Sequence, residues 1–357
     1  MRIAVAMSGG VDSSVAAAVL AERGHDVIGL SMQLYDQTGG DRSFGRCCTL
    51  DDLYDARRVA AAIGIPHYIL NLERQFDEQV ISNFVHEYAS GRTPLPCARC
   101  NSDLKFSTLL DRARSFDAEG VATGHYARVV RDERSGRHLL ARSADREKDQ
   151  SYFLFSLSQH QLARATFPVG GWTKAEVRAY ARARRLPVAD KPDSHEICFV
   201  PDDDYATFVS GRAPELARAG VVVDQSGRVL AQHAGVHRFT IGQRKGLGLS
   251  SSPTGAPLYV LSLEPVDQRV VVGPKAALER SRLTASDVNW IVEPGTTPRR
   301  VAAQIRHRHA AAPATVAPLD DRRVDVIFDA PQIAITPGQA IVFYEGDTVV
   351  GGGWIDS

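Results

Sequence analysis

Residues 8–14, which read SGGVDSS, have the composition of a loop that binds phosphate. They stand between an apolar run and an Ala- and Val-rich segment, so the sequence predicts a tight turn from a buried strand into a helix. Gly9 and Gly10 allow the backbone to approach an anion, and Ser8 and Ser13 supply hydroxyl groups. The positive end of the helix dipole would face the phosphates. We therefore interpret this segment as a pyrophosphate-binding loop.

Asp12 indicates the kind of nucleotide reaction. A carboxylate beside phosphates repels them unless a divalent cation lies between, so we interpret Asp12 as a position associated with Mg²⁺. No lysine follows the loop at the place where kinases and GTPases carry one. The pattern favours an enzyme that splits ATP into AMP and pyrophosphate.

Cysteines form the second chemical group, and the chain has five: Cys47, Cys48, Cys97, Cys100 and Cys198. An odd number argues against a framework of structural disulfides. Cys97 and Cys100 form a C-x-x-C pair within the proline-rich segment 93–101, and the prolines predict a loop there. Arg99 and Lys105 could stabilise a thiolate in that loop.

The spacing of the cysteines leaves three interpretations open: half of a zinc site, thiol chemistry, or inert residues. Zinc needs four ligands and the chain has no second C-x-x-C, so thiol chemistry is favoured. Cys198 follows the polar segment 193–196 and belongs to the same hypothesis. Cys47 and Cys48 have no comparable setting, and we interpret them as bystanders.

Charge gives no global argument for binding a polyanion, because 42 Lys and Arg residues balance 42 Asp and Glu residues. Local basic clusters occur at 164–191, at 238–245 and at 306–309. Three such clusters predict an extended RNA surface better than a small-ligand site. By residue type alone, Lys148, Asp149 and Gln150 read as a solvated turn.

The elements that would position these groups follow from length and pattern. At 357 residues, two or three domains are expected. Strand and helix patterns alternate over the first ~130 residues, which predicts a doubly wound parallel sheet covered by helices. Ligands of such sheets bind at the carboxyl ends of the strands, where the loop, Met32 and the segment 123–125 would meet.

Later segments predict a change of architecture. Thr173 and Glu176 form a capping box that opens a helix, and the residues 132–137 read as a hairpin turn. The last ~75 residues carry short apolar runs separated by Pro, Gly and Asp, as in a small β-barrel. We place domains at 1–202, 203–280 and 281–357. No apolar run approaches the ~20 residues of a membrane span, so we expect a cytoplasmic protein.

Seven strings taken together resemble the tRNA-specific 2-thiouridylase family over nearly the whole chain. They are SGGVDSS at 8–14, GRTPxPCxxCNxxxKF at 91–106, ATGHYA at 122–127, KDQSYFL at 148–154, ICFV at 197–200, FTIGQRKGLG at 239–248 and TPGQAIVFY at 336–344. The resemblance implies an N-terminal PP-loop domain of the adenine nucleotide alpha-hydrolase type, a small central domain and a C-terminal β-barrel. It also implies ATP-dependent sulfuration of C2 of the wobble uridine of tRNA.

Carried over by position, the resemblance implies a role for each matching residue. The nucleotide would contact Ala6, Met7, Ser8, Gly9, Gly10, Val11, Asp12, Ser13, Met32 and Gly124. The nucleophile would be Cys100, and the persulfide carrier Cys198. Contacts with tRNA would come from Leu95, Pro96, Cys97, His125, Lys148, Asp149, Gln150, Arg306, His307 and Gln339. No resident metal site is implied beyond the Mg²⁺ that accompanies ATP.

Three positions depart from many relatives: Leu95 stands for Asn, His307 for an aromatic residue, and Cys97 for Asp in others. The resemblance implies a persulfide donor protein as partner. Three alternatives stay open: an ATP-pyrophosphatase that transfers an amine, thiolation through an iron–sulfur cluster held by Cys97, Cys100 and Cys198, and an RNA-binding module with idle cysteines. The cluster is not favoured.

Overall fold

A computed structural model describes residues 1–35, 49–193, 197–200, 204–249 and 255–356 of the chain. Cys47 and Cys48 lie outside these residues. The N-terminal body contains β1 (Arg2–Ala6), α1 (Val11–Glu22), β2 (Asp26–Gln33), α2 (Leu50–Ile63), β3 (His67–Asn71), α3 (Glu73–Phe76), α4 (Ser82–Ala89), α5 (Pro96–Arg99), α6 (Leu109–Arg114), β4 (Gly120–Ala122), β5 (Ala127–Arg131), β6 (His138–Arg142), α7 (Gln159–Leu162), β7 (Ala165–Thr166) and α8 (Lys174–Ala183). Two π-helical turns interrupt these helices, Asp77–Ile81 and Cys100–Thr108.

A five-stranded parallel sheet in the order β3-β2-β1-β4-β7 forms the centre of this body. Strand β1 lies in the middle, and its Val5 pairs with Gly29 of β2 on one side and with Ala122 of β4 on the other. The carboxyl ends of β1, β2 and β4 therefore meet at one edge of the sheet. The predicted doubly wound parallel sheet is confirmed.

Helix α1 packs into the interior because its composition allows a close approach from all sides. Residues 13–20 are all buried, and α1 packs against both α2 and α8. A helix that is apolar on all sides along most of its length belongs inside a protein rather than on its surface, and residues 15–20 of α1 fit that description. Helix α8 begins at the capping box of Thr173 and Glu176, as predicted. The loop at residues 8–10 is thereby fixed between a buried strand and a buried helix.

Two β bodies follow. The central one holds α9 (Tyr205–Arg212), β8 (Gly220–Asp224), β9 (Val229–His233), β10 (Tyr259–Glu264) and β11 (Arg269–Gly273), with strand order β10-β11-β8-β9. The C-terminal one holds β12 (Glu279–Trp290), β13 (Arg299–Gln304), β14 (Ala312–Pro318), β15 (Val324–Ile333), β16 (Ala340–Glu345) and β17 (Thr348–Ile355). Pairing of β12 with β17 closes these six strands into a barrel, which confirms the predicted C-terminal architecture.

The hairpin β5–β6 connects the N-terminal body with the C-terminal barrel. It belongs to the N-terminal body by sequence, yet β6 pairs with β17 of the barrel at Ala141 and Thr348. Its turn lies at residues 132–137, as predicted. This pairing brings the segment that follows β6, residues 143–150, between the parallel sheet and the barrel.

The C-x-x-C segment is helical, so the predicted loop is wrong. Pro96 occupies the first turn of α5, and Cys100 begins the π-helical turn that continues it. Proline is well tolerated at the first helical position, where its missing N–H is not needed for an intrahelical bond. In the described ranges, no helix has the length and apolar content that a membrane span requires.

Candidate active site

The loop between β1 and α1 is shaped to hold an anion. Gly9 has φ +73°, and a Cβ there would lie 2.2 Å from the carbonyl oxygen of Asp52, so only glycine fits. Gly10 caps α1 without a side-chain hydrogen bond, which leaves the first N–H groups of the helix available to a ligand. Ser13 Oγ accepts a hydrogen bond from the Ser8 N–H at 3.2 Å. The sequence-predicted phosphate loop therefore has an uncapped, buried helix behind it.

Gly124 lies directly on this loop. A Cβ at Gly124 would stand 2.5 Å from the backbone nitrogen of Ser13 and 2.6 Å from the carbonyl carbon of Asp12. Met32 is buried at the end of β2, on the opposite side of β1 from Gly124. The predicted nucleotide positions thus flank the loop on both sides, although the identity of what they contact stays a prediction.

Asp12 is held by two side chains from distant parts of the chain. Lys174 Nζ lies 2.8 Å from each carboxylate oxygen of Asp12, and the Tyr126 hydroxyl donates to Oδ1 at 2.8 Å. Burial and the nearby Asp12 charge raise the pKa of Tyr126, which stays a hydrogen-bond donor. Sequence analysis grouped Lys174 with the other basic residues of its helix and missed this contact.

Asp193 gathers three cations at the mouth of the loop. Lys148 and Lys174 each place Nζ 2.8 Å from a carboxylate oxygen of Asp193, and Arg178 adds a contact at 2.9 Å. Burial opposes ionisation of Asp193, but hydrogen bonds and charges from Lys148 and Lys174 outweigh it and hold its pKa well below the usual range. Because Lys174 touches Asp12 and Asp193 together, one chain of ion pairs links the loop to the segment that precedes Cys198.

These groups line a cavity of about 770 Å³ between the parallel sheet and the barrel. Its walls include Ser8, Gly10, Asp12, Asp52, Cys97, Tyr126, Lys148, Asp149, Gln150, Lys174, Lys191, Asp193, His307, Arg308 and His309. The cavity is large enough for a nucleotide with part of a second ligand. The structure therefore brings the phosphate loop, the KDQ segment, one cysteine and the 307–309 basic cluster to one place.

The three predicted functional cysteines differ in exposure. Cys97 is exposed on the cavity wall, Cys100 is buried, and Cys198 is half-buried. Cys100 belongs to the main apolar core cluster, and Cys198 packs against that cluster as a partly buried residue. Among the residues that the structure describes, no group of three or more His, Cys, Asp and Glu side chains is arranged to hold a metal ion.

Asp149 and Gln150 are built into the protein framework. Asp149 is buried and accepts hydrogen bonds from Arg142 at 3.0 Å and from the Ser143 N–H at 2.9 Å. Gln150 Oε1 accepts from the Tyr126 N–H at 2.9 Å. Of the predicted tRNA-contacting triplet, Lys148 alone presents a cationic group at the cavity, and that group is paired with an acid.

Burial disfavours the charged form of two histidines, His125 and His307. His125 packs between Phe106 and Phe167 and shares a 2.7 Å hydrogen bond with the Thr123 hydroxyl. Burial lowers the pKa of His125 well below its ordinary value, with Lys105 adding to the effect. Burial likewise lowers the pKa of His307. A contact with RNA at either ring would use hydrogen bonding or stacking rather than positive charge.

The remaining predicted tRNA positions lie around α5. Gln339 donates hydrogen bonds to the carbonyl oxygens of Thr93 and Pro94 at 3.0 and 3.1 Å, which ties the barrel to the segment that leads into α5. Leu95 lines a separate cavity of about 100 Å³, and Pro96 is buried. Arg306 is exposed and donates to a barrel carbonyl at 3.3 Å.

The basic stretch on α8 carries less unpaired charge than its sequence indicates. Arg178 pairs with Asp193, Arg182 with Asp190, and Arg184 with Glu22. The partner acids are distant in sequence or lie beyond the helix, which is why periodicity along α8 did not reveal them. Most cations of the predicted phosphate-backbone surface on this helix are therefore already paired with acids of the protein.

Lys191 completes the charged wall. Its Nζ lies 2.6 Å from Asp52 and 2.7 Å from Asp55 on α2. Burial opposes the charge, but the hydrogen bonds to the two carboxylates outweigh it and raise the pKa of Lys191. No spacing rule in the sequence pairs residue 191 with residues 52 and 55, so only the fold reveals this contact.

A glycine-rich turn that opens a buried helix at the carboxyl edge of a parallel sheet, with an acid in the first turn of that helix, is typical of the PP-loop class of ATP-binding domains. Three family models match the chain: a tRNA methyl transferase HUP domain over residues 1–202, a tRNA methyl transferase PRC-barrel domain over 206–274, and an aminomethyltransferase beta-barrel domain over 280–355.

Curated relatives match over almost the full length. The tRNA-specific 2-thiouridylase MnmA of Solibacter usitatus is 54% identical, with 99% of each chain covered, and that of Geotalea uraniireducens is 50% identical, with 99% of this chain and 95% of the relative covered. A solved 4-thiouridine synthetase–RNA complex with bound ATP has 14% identity and a TM-score of 0.34 over 60% of this chain and 50% of that one, a likeness too weak to inform function. The chain belongs to the tRNA-specific 2-thiouridylase family.

Proposed function

We propose that this chain forms 2-thiouridine in tRNA in an ATP-dependent reaction, as a tRNA-uridine 2-sulfurtransferase. The observation that carries the proposal is one cavity that joins an uncapped phosphate loop to Cys97, three residues before the proposed nucleophile Cys100. Relatives about 50% identical over the full length bear the same activity in their names. The words "methyl transferase" in two family descriptions fit this cavity less well, because methyl transfer needs neither a pyrophosphate loop nor cysteines.

The first half-reaction is adenylation of the base. The uridine C2 oxygen attacks the α-phosphorus of ATP, a P–O bond forms, and pyrophosphate leaves with the electron pair of the broken P–O bond. This exchange turns a poor leaving group, oxide, into AMP. The loop at residues 8–13 would hold the phosphates by backbone N–H groups and by the dipole of α1.

Mg²⁺ suits this site by donor chemistry, because the Asp12 carboxylate stands on the first turn of α1 and is about one-third exposed. The ion would neutralise phosphate charge when bound. Asp12 is the residue that would hold it, and Lys174 and Tyr126 orient that carboxylate.

The second half-reaction transfers sulfur. A donor protein would leave a persulfide on Cys198, and the Cys100 thiolate would attack Sγ of Cys198, forming a Cys100–Cys198 disulfide and releasing hydrosulfide. The hydrosulfide attacks C2 of the adenylated base, and AMP leaves. In the direct variant the outer persulfide sulfur attacks C2 and AMP leaves, which links C2 to Cys198 through two sulfurs. The Cys100 thiolate then attacks Sγ of Cys198, which breaks the S–S bond and leaves the outer sulfur on C2. Either path ends in a disulfide that a cellular thiol must reduce.

The packing of half-buried Cys198 against the apolar cluster that contains buried Cys100 supports this step, since partial exclusion of water protects a persulfide from side reactions. The uridine would have to leave the anticodon loop, where extrusion of an unstacked base costs least. We place the reaction in the cytoplasm, where cysteines are kept reduced between turnovers.

The test is a reaction of the whole protein with unmodified tRNA transcript, Mg²⁺, ATP and a persulfide donor. We expect 2-thiouridine in the digested nucleosides, with one AMP and one pyrophosphate released per thiouridine. Product without ATP, or an amino product in place of the thio product, would contradict the proposal. An absorption scan of anaerobically purified protein tests the iron–sulfur alternative. Activity that rises and falls with a visible absorption band would support the cluster in place of the persulfide route.

A further inference from the structure

Lys174 places its ammonium group beside the phosphate loop, which has no lysine of its own. Its Nζ lies 2.8 Å from both oxygens of Asp12 and 2.8 Å from Asp193, and only 12% of its side chain is exposed. In many other nucleotide-binding loops this cation belongs to the loop itself. Here α8, more than 150 residues further along the chain, supplies a cation to the same place.

The backbone around Lys174 fixes its position. Thr173 and Glu176 close a capping box at the start of α8, and the Lys174 N–H donates to Asp145 at 2.9 Å. Asp193 provides a second anchor for the ammonium group and is itself held by other cations. If a ligand competes for Asp12, Lys174 therefore keeps one carboxylate partner at the same spot.

Cations concentrate beside the uncapped end of α1. Lys148, Lys174 and Arg178 pair there with the carboxylates of Asp12 and Asp193, so a polyphosphate that reaches the loop meets several fixed cations. Pyrophosphate gains negative charge on its oxygens as its bond to the α-phosphorus breaks. Fixed cations beside a developing charge stabilise the transition state without reorganisation.

We propose that Lys174 is a phosphate-binding residue of the adenylation step, positioned by Asp193, and that it donates hydrogen bonds from Nζ to the β- and γ-phosphates of ATP and to the pyrophosphate that leaves. The inference rests on the proposed function, because it assumes that ATP occupies the loop. In this proposal Asp193 holds Lys174 in place and is a positioning residue.

The test compares ATP with AMP, since AMP lacks the two phosphates in question. We expect Lys174→Met to weaken ATP binding about tenfold or more in calorimetry with Mg²⁺ present, and to change AMP binding less than twofold. Lys174→Arg should recover part of the ATP affinity. Pyrophosphate release in a single turnover with tRNA should fall at least a hundredfold in Lys174→Met. Arg182→Ala, on the same helix and in an exposed ion pair, is the matched control.

Equal losses for ATP and AMP, or no loss for either, would overturn the inference. AMP binding by the same preparation reports whether the site is folded. If the single variant fails to fold, the double variant Asp12→Asn, Lys174→Met is compared with Asp12→Asn alone, so that any further loss of ATP binding belongs to Lys174. The inference alone would be refuted if wild-type protein makes thiouridine and Lys174→Met keeps the wild-type ratio of ATP affinity to AMP affinity. Wild-type protein that releases pyrophosphate without making thiouridine would refute the proposed function and leave the role of Lys174 standing.

Discussion

Replacement of Asp149 by alanine separates a framework role from direct tRNA contact. Four hydrogen bonds end on this carboxylate, from Arg142, from the Ser143 N–H, and from the N–H and hydroxyl of Ser151. The side chains of Arg142 and Asp149 are 19% and 7% exposed, so the pair is mostly buried. Asp149→Ala would leave the Arg142 guanidinium without its carboxylate partner, between the hairpin β5–β6 and the barrel.

The expected cost follows from that burial. Removing one partner of a buried ion pair destabilises a protein by about 3–5 kcal/mol. For units of 150–250 residues each kcal/mol lowers Tm by about 2–4 °C, so Asp149→Ala should lower Tm by on the order of 10 °C. Asp149→Asn keeps the acceptor oxygen for Ser143 or Ser151 and should lose about half as much. Arg142 also stacks on Tyr344, with 3.6 Å to the ring centroid, and that contact retains part of its packing.

The assay is thermal unfolding followed by fluorescence, together with filter binding of tRNA at a temperature where each variant stays folded. Glu147→Ala, at a neighbouring position on the same cavity wall, is the matched control and should shift Tm by less than 2 °C. We expect tRNA affinity of folded Asp149→Asn within about threefold of wild type. A variant with unchanged Tm and a tenfold or larger loss of tRNA affinity would refute the framework interpretation and make Asp149 a direct contact.

Further predictions concern the loop, α8 and one histidine. Asp12→Asn should abolish pyrophosphate release, measured by a coupled assay. It should leave tRNA affinity in filter binding within twofold of wild type, because it changes the phosphate site and not the RNA surface. Pyrophosphate release at the wild-type rate would disprove the assignment. Arg182→Ala with Arg184→Ala should leave the salt slope of tRNA binding unchanged, since both side chains pair with acids; a slope reduced by about one per residue would restore a phosphate-contact role. The pKa of His125 is lower in the folded chain than its ordinary value of 6.5, so its stabilising contribution is present above pH 6.5 and lost as the pH falls below it. The Tm difference between wild type and His125→Gln should therefore shrink from pH 7.5 to pH 5.5, and a constant difference would contradict the burial effect.

Local patterns predicted the scaffold well. The strand–turn–helix at the loop, the capping box at Thr173 and the hairpin turn at 132–137 each depend on residues close in sequence, and each is confirmed. The parallel sheet and barrel followed from the order of the elements. The segment 93–101 failed because its prolines were taken to exclude a helix, whereas Pro96 occupies the helix start, where proline fits.

Contacts between distant residues could not be predicted in the same way. Lys174 with Asp12 and Lys191 with Asp52 bring together residues more than 130 positions apart, and a charge run on a helix gives no sign of its partners. The burial of Asp149 was missed although its donors Arg142, Ser143 and Ser151 are close in sequence, because a polar segment does not reveal that the fold packs around it. Resemblance named candidate residues along the chain but did not distinguish those that face the cavity from those that support it.

The most direct test of the central claim is the amount of 2-thiouridine, read by mass spectrometry of nucleosides, that cysteine variants form in tRNA with ATP and a protein persulfide donor. Cys198→Ser and Cys100→Ser should each form none, because a serine hydroxyl can neither carry nor attack persulfide sulfur near neutral pH. Cys97→Ser, exposed on the cavity wall, should keep substantial activity under the persulfide route. Cys47→Ser should match wild type. Wild-type levels of 2-thiouridine from Cys198→Ser would contradict the proposed sulfur transfer and leave the nucleotide site without a thiolation role for that cysteine.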